Sequence, residues 1–92
     1  MRKIYKGDGK SIETAFHIIG CRNQASYIHY EYKKIEELFG RRNSDWSLIC
    51  QGLISCDGKY YDEITIAAIQ STEYHIWFEV SEFFVHHEQT YY

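Results

Sequence analysis

The chain lacks proline altogether. Its three cysteines form no Cys-x-x-Cys pair, and it has neither a long apolar run nor an excess of positive charge. Each absence removes a class of protein. An odd cysteine count without paired spacing argues against a disulfide framework and against a structural zinc site. Cys50 and Cys56 fall on one expected strand, so at a rise of about 3.3 Å per residue they lie roughly 20 Å apart and cannot bridge each other within the chain. No stretch approaches the ~20 apolar residues that cross a bilayer, and Met1-Arg2-Lys3-Ile4-Tyr5 lacks the apolar segment of a signal peptide. A cytoplasmic location without a membrane partner is therefore expected. With a net charge of −3 and basic residues scattered apart from Arg41-Arg42, there is no electrostatic footprint for nucleic acid. No repeat, low-complexity tract or linker interrupts the sequence. One domain over residues 1–92 is expected, with flexible ends at about 1–8 and 86–92.

What is present is apolar and aromatic: 45% of residues are hydrophobic and 17% are Phe, Trp or Tyr, enough for a single core. Residues 1–13, including Gly7-Asp8-Gly9-Lys10-Ser11, read as a loop or arm. Ala15-Phe16-His17-Ile18-Ile19, closed by Gly20, reads as a strand. From Asn23 to Phe39 the spacing of Ala25, Ile28, Tyr32, Ile35 and Phe39, widened by Leu38, makes one apolar helix stripe. Asn23 or Ser26 can cap its start, and Gly40 can end it. Glu31, Lys33, Lys34, Glu36 and Glu37 are expected on a solvated face. The expected fold class is α+β: a strand, one amphipathic helix packed on one sheet face, then a three-stranded antiparallel meander.

Register within the meander follows from parity. Trp46, Leu48, Cys50 and Ile54, then Tyr60, Ile64, Ile66 and Ala68, then Tyr74, Ile76, Phe78 and Val80 occupy even positions, and each set shares a face. A two-residue turn at Asp57-Gly58 would oppose even to odd positions and divide Trp46 from Ile64, which wastes the core. A three-residue loop Cys56-Asp57-Gly58, with Gly58 left-handed in a bulge, aligns them and sets Asp62 opposite Gly52. The same argument favours Ser71-Thr72-Glu73, or the five residues from Ile69 to Glu73, as the second loop. Ser81-Glu82-Phe83-Phe84 reads as a helical turn capped by Ser81, followed by a polar tail.

Chemistry-bearing patterns are few. Gly9-Lys10-Ser11 ends like a phosphate-binding loop, but the required preceding glycine would fall at Ile4 and no strand leads into it. His86-His87-Glu88 lacks the convergent ligands of a metal site, and His29 does not share a helix face with Glu31. Catalytic roles for Cys21, Cys50 or Cys56 would need a histidine nearby, and Cys50 is expected on the core face as a small hydrophobe. Asp57 answers to turn chemistry, which leaves Asp62 as the least explained carboxylate and a weak ligand candidate. No catalytic residue, metal or cofactor is assigned.

The odd face of the meander is more informative. Ile49, Leu53, Tyr61 and Trp77, with His75, Ala67, Thr65 and Glu79 among them, make a mixed apolar and polar surface where a half-solvated sheet should be polar. Aromatic residues of this kind dominate protein contact sites. Three covers compete for it: the chain's own arm and terminal turn, a second copy, or another protein.

Gly7-Asp8-Gly9-Lys10-Ser11-Ile12-Glu13-Thr14-Ala15-Phe16-His17-Ile18, with Trp46 and Asp57-Gly58-Lys59-Tyr60-Tyr61-Asp62, resembles small uncharacterised bacterial proteins. These combine a Gly-Asp-Gly-Ser-Ser opening with a late Asp-Gly-Lys-x-Tyr-Asp hairpin. Here Lys10 replaces the first serine. The resemblance implies one compact domain and brings no activity. The functional expectation is a small non-enzymatic interaction module, an accessory or inhibitor protein acting by contact with another protein or as a homodimer. The alternative is a small hydrolase or ligand-binding protein using Asp62 with a histidine.

Overall fold

The computed structural model describes residues 3–21 and 23–84, the side chains of residues 3–5 and 70 excepted. It is α+β. Strands β1 (Lys3–Tyr5) and β2 (Phe16–Ile19) precede helix α1 (Gln24–Phe39), followed by β3 (Trp46–Cys56), β4 (Lys59–Ala68) and β5 (Glu73–Glu79). The sheet has five strands in the order β1-β2-β5-β4-β3. It is mixed, because β2 lies parallel to β5, pairing Phe16 with Phe78, while the other neighbours are antiparallel. The expected three-stranded meander thus describes only part of a wider sheet.

Within the N-terminal arm, Lys3–Tyr5 adds an edge strand to the sheet. Lys3 pairs with Ile19 and Tyr5 with His17. The loop that follows folds back: the Asp8 and Gly9 amides donate to the Thr14 carbonyl, and the Trp77 amide donates to the Gly9 carbonyl at 2.8 Å. Gly7 and Gly9 both have positive φ, and a Cβ on Gly9 would overlap the Phe16 ring. The amides that would cradle a phosphate are therefore consumed internally. The Lys10 amide also donates to Asp8 Oδ1, which holds the Asp8 carboxyl below its ordinary pKa.

Helix α1 starts where Asn23 Oδ1 accepts from the Ser26 amide at 2.8 Å, and ends at Gly40, φ +103°, whose amide donates to Glu36. Its buried stripe is Tyr27, Glu31 and Ile35. This corrects the expected face. Ala25 is exposed, Leu38 is half exposed, and Glu31, expected in solvent, is fully enclosed. The stripe is rotated because one of its three central positions is an acid, which no hydropathy pattern counts as core.

The hairpin also differs. Cys56 pairs with Lys59 across a two-residue turn in which Asp57 and Gly58 both have positive φ, the signature of a type I′ turn. The parity conflict is real, but the chain resolves it seven residues away. Leu48 pairs with Ile66 and Cys50 with Thr65, so Ile49 is an extra residue in a β-bulge. Trp46 and Leu48 before the bulge join Ile64 and Ile66 on the core face. Beyond it, Gln51, Leu53 and Ser55 take that face, and Asp62 stands opposite Leu53 rather than Gly52. The second connection is a 3-10 turn, Ile69–Ser71, with the Ala68 amide bonded to the Thr72 carbonyl. It lies within the expected five-residue stretch from Ile69 to Glu73 rather than at Ser71-Thr72-Glu73, although Glu73 itself pairs with Ala67, and Ile64 stands opposite Ile76.

The core lies between α1 and one sheet face: Phe16, Ile18, Tyr27, Ile35, Trp46, Ile64, Ile66, Ile76, Phe78 and Val80. The turn Ser81–Phe84 closes one end of it. Phe83 lies 4.8 Å from the Tyr27 ring and Phe84 lies 5.0 Å from Tyr60. Ser81 Oγ accepts from the Tyr60 amide, and Glu82 Oε1 accepts from the Gly20 amide. The expected frayed tail at 86–92 and His86-His87-Glu88 fall outside the described residues.

Candidate functional site

On the sheet face away from α1, strand pairing sets Tyr61 beside Glu79, Glu63 beside Trp77, and Thr65 beside His75. β2 adds His17 next to Glu79, and β3 adds Ile54 next to Tyr61. Two imidazole–carboxylate contacts cross this surface: His17 Nδ1 to Glu79 Oε2 at 3.2 Å, and His75 Nδ1 to Glu63 Oε2 at 3.0 Å. Thr65 Oγ1 lies 3.1 Å from the same His75 nitrogen. Trp77 sits between these pairs and is half-buried.

The expected surface set therefore divides. Tyr61, Trp77 and His75 share this face. Leu53 does not; the bulge turns it to the α1 side beside Asp62, where it remains half exposed. Ile49, the bulge residue itself, is exposed near the other end of β3. Of the three expected covers, the terminal turn packs on the α1 side and the N-terminal strand extends the sheet edge. The loop between β1 and β2 also reaches this part of the sheet: the Trp77 amide donates to the Gly9 carbonyl, and the Glu13 charge lies near enough to act on the Tyr61 hydroxyl, whose pKa is raised first by burial.

Asp62 belongs to a different site, one that the sequence did not indicate. It is buried at 3% exposure under α1, next to Glu31 at 0%. Both Glu31 oxygens and Asp62 Oδ2 lack a hydrogen-bond partner among the described residues. Two ionised carboxylates cannot donate to one another, so this arrangement is stable only when the pair holds a proton. Burial first, then the adjacent Asp62 carboxyl, raise the Glu31 pKa to about 11. The Tyr27 hydroxyl is raised as well, by burial and then by the charges of Asp62 and Glu31. The missed signal was spacing: Tyr27, Glu31 and Ile35 recur every fourth residue, and only the assumption that an acid points outward hid the stripe.

His17 and His75, whose partners are Glu79 and Glu63, lie across the sheet from Asp62. The described residues contain no group of three or more His, Cys, Asp or Glu placed to hold a metal ion. No described helix is long and apolar enough to cross a membrane. A shallow cleft of about 350 Å³ lies beside α1, lined by His29, Tyr32, Lys33, Glu36, Arg42 and Trp46. Its Arg42 guanidinium stacks over the Tyr32 ring at 4.9 Å, which occupies the charge best suited to a ligand. Comparison with protein-family models, with curated proteins and with solved structures finds no match to this chain.

Proposed function

We propose that this chain is a small cytoplasmic protein-interaction module, an accessory or inhibitor protein that captures another protein on the open sheet face. One observation carries the reading: Trp77 and Tyr61 stand part-exposed on the sheet face away from α1, framed by two histidine–glutamate contacts. A buried aromatic anchor inside a polar rim is the anatomy of a contact site, because the ring supplies area and the rim excludes water and fixes orientation. The resemblance to small bacterial proteins with a similar opening and hairpin motif fits a module without chemistry of its own. The hydrolase reading has less support, since Asp62 is enclosed and its nearest acid–base companion is another carboxyl.

The test is capture from the native cell extract with the wild-type chain and with Trp77→Ser plus Tyr61→Ser. The wild type is expected to retain a partner that the variant loses, with the helical circular-dichroism signal unchanged. Equal retention by both would overturn the reading. If the double variant unfolds, His75→Ala, at a site more than half exposed, repeats the comparison without touching the aromatic pair.

A further inference from the structure

We infer that the free edge of β3 pairs with β3 of a second copy, antiparallel about a two-fold axis at Leu53, to give one continuous ten-stranded sheet. This goes beyond the open-face reading and uses a different surface.

Strand β3 is the last in the sheet order, so among the described residues one of its edges has no strand partner. Its start is blocked: Arg42 bridges Trp46, and the Asn43 amide donates to the Trp46 carbonyl. The bulge at Ile49 ends that protected part. From Cys50 to Cys56 the ladder is regular, and the turn at Asp57-Gly58 closes it. Natural edge strands resist self-pairing with charges, prolines or bulges inside the exposed segment. Cys50-Gln51-Gly52-Leu53-Ile54-Ser55-Cys56 has none of these. With no charge on the strand, nothing repels an identical strand brought beside it.

The direction of the backbone groups fixes the register. The Val80 amide donates to the Tyr60 carbonyl and the Ala68 amide to the Thr72 carbonyl, so the even residues of β4 bond toward β5. The odd residues Lys59, Tyr61, Glu63 and Thr65 then bond to Cys56, Ile54, Gly52 and Cys50. Gln51, Leu53 and Ser55 are left to direct their amides and carbonyls outward. A two-fold axis at Leu53 matches all three: Leu53 faces Leu53, and Gln51 faces Ser55 in both directions, for about six main-chain hydrogen bonds. It uses the whole regular segment, bounded symmetrically by the bulge and the turn. It also covers the half-exposed Leu53 with its own copy and lays Ile54 across Gly52, where no side chain intrudes.

This register has a chemical signature. Cys50, too far along the strand to reach Cys56 of its own chain, comes to stand directly opposite Cys56 of the second copy, on a non-hydrogen-bonded pair where side chains approach most closely. Both thiols are exposed. Diamide would oxidise the two thiols to one disulfide, taking up the two electrons and two protons released. The test mixes Cys50→Ser with Cys56→Ser. The mixture is expected to yield a cross-linked pair with one of each variant, while neither variant cross-links alone. Light scattering is expected to give twice the 11.0 kDa chain mass, falling to one chain in Leu53→Lys with secondary structure retained. A strict monomer, cross-linking within either single variant, or a dimer that survives Leu53→Lys would each overturn the proposal. If Leu53→Lys fails to fold, the mixing experiment still decides it. Trp77→Ser leaves the edge intact, so loss of the dimer in that variant would assign self-association to the open face instead.

Discussion

At the residue scale, the governing side chain is Glu31. An ionised carboxylate with no exposure and no donor would cost several kcal/mol, so the folded protein keeps the group protonated far above the pH at which the unfolded chain releases the proton. The folded pKa is raised, from an ordinary 4.5 to about 11. Its contribution to stability is therefore fully present below about pH 4.5 and is lost as pH rises through the folded value. Between these limits each pH unit costs up to about 1.4 kcal/mol, because folding must take up one proton. Glu31→Gln keeps the shape, cannot ionise, and can donate from its amide toward Asp62. Urea titrations at pH 5 and pH 8 are expected to show wild-type stability falling by up to about 4 kcal/mol across the interval, at about 1.4 kcal/mol per pH unit, while the variant stays nearly flat. The same slope in both proteins would mean that Glu31 does not carry the proton. A hydropathy pattern scores this position as surface; its enclosure follows from the sheet residue opposite it.

At the element scale, β3 shows how far local pattern reaches. Parity required Trp46, Leu48, Ile64 and Ile66 to share a face, and they do. It could not say where the compensating residue sits, because one extra residue restores parity equally well at a turn or in mid-strand. Asp57-Gly58 satisfies a type I′ turn without help, so the correction moved to Ile49, and with it Leu53 changed face and Asp62 gained a new neighbour. The consequence is testable. Deleting Ile49 removes the bulge and throws Trp46 and Leu48 to the open face, since a one-residue slip inverts every side chain on one side of it. Trp46 is nearly fully buried, and its indole nitrogen donates to the Gly40 carbonyl at 2.8 Å, so the deletion is expected to abolish cooperative thermal unfolding. Ile49→Gly keeps the residue count and the register, and should retain a sharp transition. A deletion mutant that melts as sharply as wild type would show that the bulge is dispensable.

At the scale of the whole molecule, the sequence showed one α+β core and a helix over an antiparallel-rich sheet, while two long-range pairings stayed out of reach. No local pattern shows that Phe16 of β2 will lie parallel to Phe78, or that a three-residue strand at the start will add to that edge, because both contacts join segments more than ten residues apart, too far for a tight hairpin turn to set their register. The same holds for the last turn, whose aromatics looked equally able to cover either sheet face. Phe83 settles on the α1 side, at 8% exposure against Tyr27, while Phe84 stacks on Tyr60. A domain of this size holds about 5–15 kcal/mol in total, and truncating a buried Phe to Ala typically costs about 3–5. Phe83→Ala is therefore expected to remove a large fraction of the stability, read as a lower urea midpoint with little change in slope. Ile69→Ala, at 64% exposure, should stay within about 0.5 kcal/mol of wild type. If Phe83→Ala is as mild as Ile69→Ala, the terminal turn is not part of the core, and the α1 face must be closed by something else.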